Sequence, residues 1–152
     1  MIVLDTNVIS EIFRPQPDET VVAWLESLTG EVAMSAVTLA ELLAGIRRLP
    51  AGRRRSILSE RVEAVIEPYR GARAILPFDD ACAPHYADIL AAREGVGMPI
   101  STADAQIAAI CRVHRATCAT RNVRDFAETG IDLVDPWTAG ASWGRVDGEA
   151  TT

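Results

Sequence analysis

Five short apolar runs, each too brief for a helix, are separated along this chain by stretches of helical periodicity. The runs are Ile2–Leu4, Val32–Ser35, residues 75–78, 117–120 and 132–134. A strand that reads apolar throughout, with no polar alternation, is buried on both faces, and that is the pattern of parallel sheets covered by helices. Helical segments are predicted over 6–13, from Asp18 to a stop at Gly30, over 37–48, 53–66 and 80–94, and over Thr102–His114. Breakers bound them: Pro15 and Pro17, Pro50 and Gly52, Pro68, and Gly95. The expected fold is therefore α/β, a three-layer sandwich with a central, mainly parallel sheet of about five strands flanked by helices.

With 152 residues the chain makes one domain. Residues 1–138 are expected to form it, and 139–152, small and polar, to be a flexible C-terminal tail. No apolar run approaches the roughly 20 residues of a membrane span, and the start lacks the basic region of a signal peptide. Cys82, Cys111 and Cys118 are odd in number and show no metal-binding spacing, so they read as reduced, buried thiols of a cytoplasmic protein.

Three acids occupy equivalent places. Asp5 follows the first strand, Glu41 falls in the first turn of the helix after the second, and Asp104 in the first turn of the helix from Thr102. Ligand sites of open α/β sheets lie at the carboxyl ends of the strands. Each acid alone also has a capping explanation: Asp5 as a plain N-cap, Thr38 with Glu41 and Ser101 with Asp104 as capping boxes. If the three converge, their mutual repulsion calls for a divalent cation. Mg²⁺ or Mn²⁺ suits such hard oxygen donors and activates water toward a phosphodiester.

Other chemistries lack their residues. His85 and His114 lie far apart, with no cysteine near either, which disfavours zinc. No G-x-S-x-G elbow is present. A P-loop needs lysine, and all 15 basic residues are arginine. The net charge of −6 argues mildly against broad coating of nucleic acid without excluding a nucleic-acid enzyme.

The sequence resembles the VapC-type PIN domains of bacterial toxin–antitoxin pairs, in the FitB-like branch. The resemblance is carried in order by IVLDTNVISE at 2–11, SAVTLAEL at 35–42, STADAQIAA at 101–109, ATRNVRDF at 119–126 and VDPW at 134–137. It implies a Mg²⁺-dependent endoribonuclease (Mn²⁺ as substitute) acting as the toxin of a type II toxin–antitoxin system. It carries Asp5, Glu41 and Asp104 over as catalytic, metal-holding acids. At the fourth acidic position this chain has Asn122, with Asp125 three residues on; either completes the site, or Asp125 caps a helix. Thr6, Asn7, Thr102 and Asn122 are supporting polar residues, and Arg121 is a contact for RNA or antitoxin. The departure at Asn122 leaves an alternative, a PIN-like binding protein that has lost catalysis.

The implied partners are an RNA substrate, a cognate VapB-like antitoxin in an apolar groove, and a second copy of the chain. Two predicted helices carry more apolar residues than one stripe needs: Val21, Val22, Trp24, Leu25 and Leu28 in one, Leu39, Leu42, Leu43 and Ile46 in the other. Arg47, Arg48, Arg53, Arg54, Arg55 and Arg61 concentrate positive charge, as a phosphate-contacting rim or as a solvated face paired with Glu60, Glu63 and Glu67.

Overall fold

In the computed structural model, which describes residues 1–139, five parallel strands form one sheet in the order β3-β2-β1-β4-β5. They are β1 (Ile2–Leu4), β2 (Val32–Ser35), β3 (Ile75–Leu76), β4 (Thr117–Ala119) and β5 (Leu133–Val134). Between them run α1 (Thr6–Ile12), α2 (Glu19–Ser27), α3 (Ala36–Arg47), α4 (Arg53–Gly71), α5 (Cys82–Gly95) and α6 (Thr102–His114). A single 3-10 turn, Val123–Phe126, joins β4 to β5.

The period-2 geometry of the strands sorts the core into two layers. Val3, Ala33 and Cys118 face α5 and α6, packing with Ile89, Ile107, Ile110 and Phe126. Their neighbours Leu4, Met34 and Ala119 face the other way, onto Val8, Ile9, Trp24, Ile46 and Ile66. Both faces of each strand are thus covered, as unbroken apolar strands require. Each large side chain removed from water here contributes about 1.5–3 kcal/mol.

Strand β1 lies at the centre, paired with β2 on one side and β4 on the other. The chain winds outward in opposite directions from this pair, so the β1/β4 boundary is the topological switch point. At such a boundary the loops splay apart and leave a crevice beyond the strands' carboxyl ends.

Several boundaries differ from the sequence reading, for identifiable reasons. Helix α4 does not close at Pro68 but runs through it. Pro68 and Ala64 are both on the solvent side, so the carbonyl deprived of its partner is not buried, and the Pro68 carbonyl still accepts from Ala72 N–H at 3.0 Å. Helix α2 stops at Ser27, before Gly30, where Leu28 turns extended. Strand β3 is two residues long because Pro77 offers no N–H to the ladder. Helix α5 begins at Cys82 after a turn in which Asp79 and Asp80 accept from Cys82 and Ala83. The tail expected over 139–152 lies, apart from Ala139, outside the described residues.

The three cysteines are free and buried. Most of the apolar excess on α2 and α3 is used within the fold, while Val22 and Leu43 stay half-buried and join neither core cluster. Val21, Trp24, Leu42 and Ile46 are buried, and the exposed large apolar residues, Met1, Ile57, Val96, Met98 and Val123, all lie elsewhere. Among the described residues no helix is long and apolar enough to cross a membrane.

Candidate active site at the carboxyl edge of the sheet

Asp5 ends β1 and caps α1, and both roles follow from one side chain. Its Oδ1 accepts the Thr6 N–H at 2.8 Å, while Oδ2 accepts the Thr120 hydroxyl at 2.8 Å and the Asn7 amide at 3.2 Å. Thr120 stands just past β4, so this bond crosses the switch point. Thr120 Oγ1 also accepts the Asn122 N–H at 3.0 Å, and Asn7 Oδ1 accepts the Arg121 N–H at 3.1 Å. The backbone of residues 120–122 is thereby tied to the end of β1.

Asp5 is 5% exposed, and burial, the largest influence, pushes its carboxyl above the ordinary 3.8. The bonds from Thr120 and Thr6 oppose this, and the charge of Glu41 adds to it. Among the described residues no arginine or histidine forms an ion pair with Asp5, Glu41, Asp104 or Asp125.

Glu41 is not part of a capping box, as its spacing from Thr38 suggested. The N-cap of α3 is Ser35, whose hydroxyl accepts the Thr38 N–H at 3.0 Å, so the helix starts earlier and Glu41 falls in its second turn. Its exposed carboxylate is instead met by α1: Thr6 Oγ1 donates to Glu41 Oε1 at 3.1 Å and lies 3.2 Å from Thr38 Oγ1. Thr6 thus bridges Asp5, through its backbone, and Glu41, through its side chain.

Asp104 sits in the first turn of α6, and its N–H donates to the Ser101 cap at 3.2 Å. Burial raises its carboxyl above 3.8, the Ser101 hydroxyl lowers it, the charges of Asp5 and Asp125 raise it, and Arg93 lowers it. The long α5–α6 connection therefore does bring Asp104 within electrostatic reach of the β1 end.

Of the two residues left open at the fourth position, Asp125 carries a charge that adds to the rise of the Asp104 carboxyl, while Asn122 is neutral. It lies inside the 3-10 turn and does not cap it. Asn122 is exposed, and its side chain makes no capping bond. Thr102 is exposed at the start of α6, and its hydroxyl makes none of the site's hydrogen bonds. Arg121 holds its guanidinium 5.0 Å from the Trp137 ring centre, an exposed cation stacked beside the acids.

The acids do not form a closed cage. Among the described residues no three acid, histidine or cysteine side chains are set closely enough to enclose an ion. Carboxylate oxygens lacking cationic partners nevertheless suit a hydrated Mg²⁺ or Mn²⁺. Mg²⁺ in particular keeps several waters and takes only one or two carboxylates directly.

Two residues escaped the sequence reading. Thr120 reads as the last residue of the predicted strand 117–120, with no role of its own, whereas the strand ends at Ala119 and Thr120 bonds Asp5. Arg93, within the predicted helix 80–94, is not singled out by the sequence, yet it is buried.

Of the alternatives for the arginine cluster, pairing with Glu63 and Glu67 is not seen, since those acids meet Arg70 at 2.7 and 3.6 Å. Arg61 instead stacks over Phe13 at 5.7 Å. A groove of about 350 Å³ runs from Thr6 and Glu41 past Phe13, Ile46 and Leu58 to Arg54. Beside it, Phe13, Ile57, Leu58 and three arginines line a further 430 Å³.

Against this parallel sheet flanked by helices, a PIN-domain model matches residues 2–131. The chain belongs to the PIN-domain family. It is similar to Toxin FitB of Neisseria gonorrhoeae, 46% identical over 138 residues, covering 90% of this chain and 99% of that one. It is 42% identical to VapC ribonuclease Y4jK of Sinorhizobium fredii, over 90% and 98% of the two chains. The solved FitAB complex bound to a DNA fragment superposes with a TM-score of 0.84 at 45% identity, covering 90% and 96%.

Proposed function

We propose that the chain is a metal-dependent endoribonuclease acting as the toxin of a type II toxin–antitoxin system. The observation that carries this reading is the position of Asp104. Burial and the charges of Asp5 and Asp125 raise its carboxyl, the charge of Arg93 opposes them, and no described basic residue forms an ion pair with any of the three acids. Such an accumulation of like charge is unfavourable in the empty protein and becomes useful once a cation is bound.

Asp5, Glu41 and Asp104 would hold the Mg²⁺, with Mn²⁺ as a substitute, and Asp125 would complete the acidic rim. The metal, when bound, would activate water and offset the negative charge that builds on the phosphoryl oxygens. The chain's own residues do the rest. Thr120, Asn7 and Thr6 fix the Asp5 carboxylate by three donors and set the direction of its lone pairs. Arg121, with its guanidinium 5.0 Å from the Trp137 ring centre, would contact a phosphate of the RNA strand. The names of the relatives, a ribonuclease and a toxin, support the activity and the biological role.

The cognate antitoxin would lie in the groove between α1, α3 and α4, which opens directly onto Glu41. An apolar segment bearing acidic residues fits it, since Phe13, Ile57 and Leu58 alternate there with Arg53, Arg54 and Arg61. A segment seated there would also obstruct the acids. The proposal includes a homodimer, read by light scattering of the purified chain.

Expression of the chain alone in a bacterial host tests the reading. Growth should stop, the E41Q variant should be harmless, and co-expression of a small reading frame adjacent to the gene should restore growth. Unimpaired growth on strong expression of the parent chain would contradict it.

A further inference from the structure

Arg93, in the last turn of α5, is 4% exposed, and among the described residues no carboxylate lies within ion-pair distance of it. A buried guanidinium without a counter-charge is costly unless its donors are satisfied. Here backbone carbonyls satisfy them. Nε donates to Met98 O at 2.6 Å and Nη2 to Pro99 O at 3.4 Å, while Nη1 donates to Asp125 O at 2.8 Å and Ala127 O at 2.7 Å. One planar fork therefore grips two segments that lack a strand ladder of their own. The first is the loop that leads through Ser101 into the helix of Asp104. The second is the 3-10 turn that carries Asp125.

We propose that Arg93 is a positioning residue for the acid site, clamping the Asp125 turn to the entry of the Asp104 helix so that both carboxylates face the end of β1. This rests on the reading of those acids as a metal site. Two features support it beyond the bond count. The clamp takes hold of Asp125 itself, by its carbonyl, which fixes the direction in which that residue leaves the turn. The charge of Arg93 also reaches Asp104, where it acts against those of Asp5 and Asp125. Lysine does not replace it, because a point ammonium with three donors cannot span four carbonyls on two segments.

The test compares the parent chain with R93Q, R93K and I66V. The last removes a methylene from the opposite core layer and controls for general loss of stability. Mn²⁺ binding is measured by calorimetry at a temperature where circular dichroism shows the variant folded. Amide exchange of residues 98–101 and 122–127 is followed in EDTA. R93Q should bind Mn²⁺ about tenfold or more weakly and exchange faster in both segments. R93K should fall between it and the parent, and I66V should match the parent. If R93Q does not fold, R93K carries the test on the same readouts. A folded variant with Mn²⁺ affinity and exchange equal to the parent's would overturn the proposal. A parent chain that binds no Mn²⁺ would overturn the metal-site reading instead, leaving the clamp to be judged by exchange alone.

Discussion

Thr120 donates its hydroxyl proton to Asp5 Oδ2 across 2.8 Å, joining the ends of β4 and β1 where the sheet changes direction. Both residues are buried, so solvent does not readily replace this donor. T120V, nearly the same shape without the hydroxyl, should cost about 1–3 kcal/mol. T120S should retain most of the stability. Urea unfolding in EDTA measures this, and an unchanged midpoint for T120V would show that the bond does not support the site.

Neutral replacement of the acids should separate catalysis from folding. E41Q, D104N and D125N should each reduce RNA cleavage by about a hundredfold or more, the scale on which losing one oriented charge slows a hydrolytic step. Circular dichroism spectra should not change. D5N is a harsher variant, since its amide would face the Thr120 and Asn7 donors, and it should lose stability as well as activity. Full cleavage by folded D104N would remove that residue from the site.

The raised carboxyls of Asp5 and Asp104 give the metal-free protein a definite pH dependence. Burial is the chief cause for each, so the folded state holds protons that the unfolded chain has already released above 3.8. The stabilising contribution is complete below that value and is lost as pH rises through the raised one. Stability in EDTA should therefore fall on raising pH from about 4 toward neutrality through these two groups. D104N should flatten the decline, and Mg²⁺ should reverse it at pH 7 by binding only the folded form. Parallel pH profiles for parent and D104N, measured by urea midpoint, would contradict this.

The Arg121–Trp137 stack predicts an effect on substrate binding. An exposed stack of this kind is worth about 0.5–1 kcal/mol, and it also holds the guanidinium ready for phosphate. R121A should raise KM for RNA severalfold with a smaller change in kcat, and R121K should recover only part of the loss. An effect confined to kcat would place Arg121 in the chemical step instead.

Ile57, 45% exposed on the groove beside the site, is the position to test for antitoxin docking. I57E should leave cleavage unchanged while abolishing neutralisation by the antitoxin. It adds an acid among the arginines that would receive the partner and removes the apolar anchor. Retained neutralisation would move the docking surface elsewhere.

Sequence and structure agree where local rules decide the outcome. Short unalternating strands announced a parallel sheet, and Ser101 with Asp104 announced the start of α6 to the residue. They part where tertiary contact decides. Thr38 and Glu41 have capping spacing, but Ser35 takes the cap, and Glu41 turns to Thr6 on another helix. Nothing local distinguishes Arg93 from the other arginines; only the approach of the 3-10 turn to α5 makes it a buried clamp. The apolar excess of α2 looked like an interface because its cover, the sheet face with Leu4 and Met34, comes from elsewhere in the chain. Spacing leaves Asp125 and Asn122 level at the fourth position; in the fold Asp125 lies inside the 3-10 turn and Asn122 just before it.

Cleavage of RNA by the purified chain tests the central claim most directly. A mixed pool of cellular RNA is incubated with parent and with D104N, each in Mg²⁺ and in EDTA, and the products are resolved by length. The parent should produce discrete internal fragments in Mg²⁺ and none in EDTA, with D104N inactive in both. Equal cleavage by parent and D104N, cleavage that persists in EDTA, or intact RNA with folded, Mg²⁺-loaded parent protein would each contradict a metal-dependent endoribonuclease built on these acids.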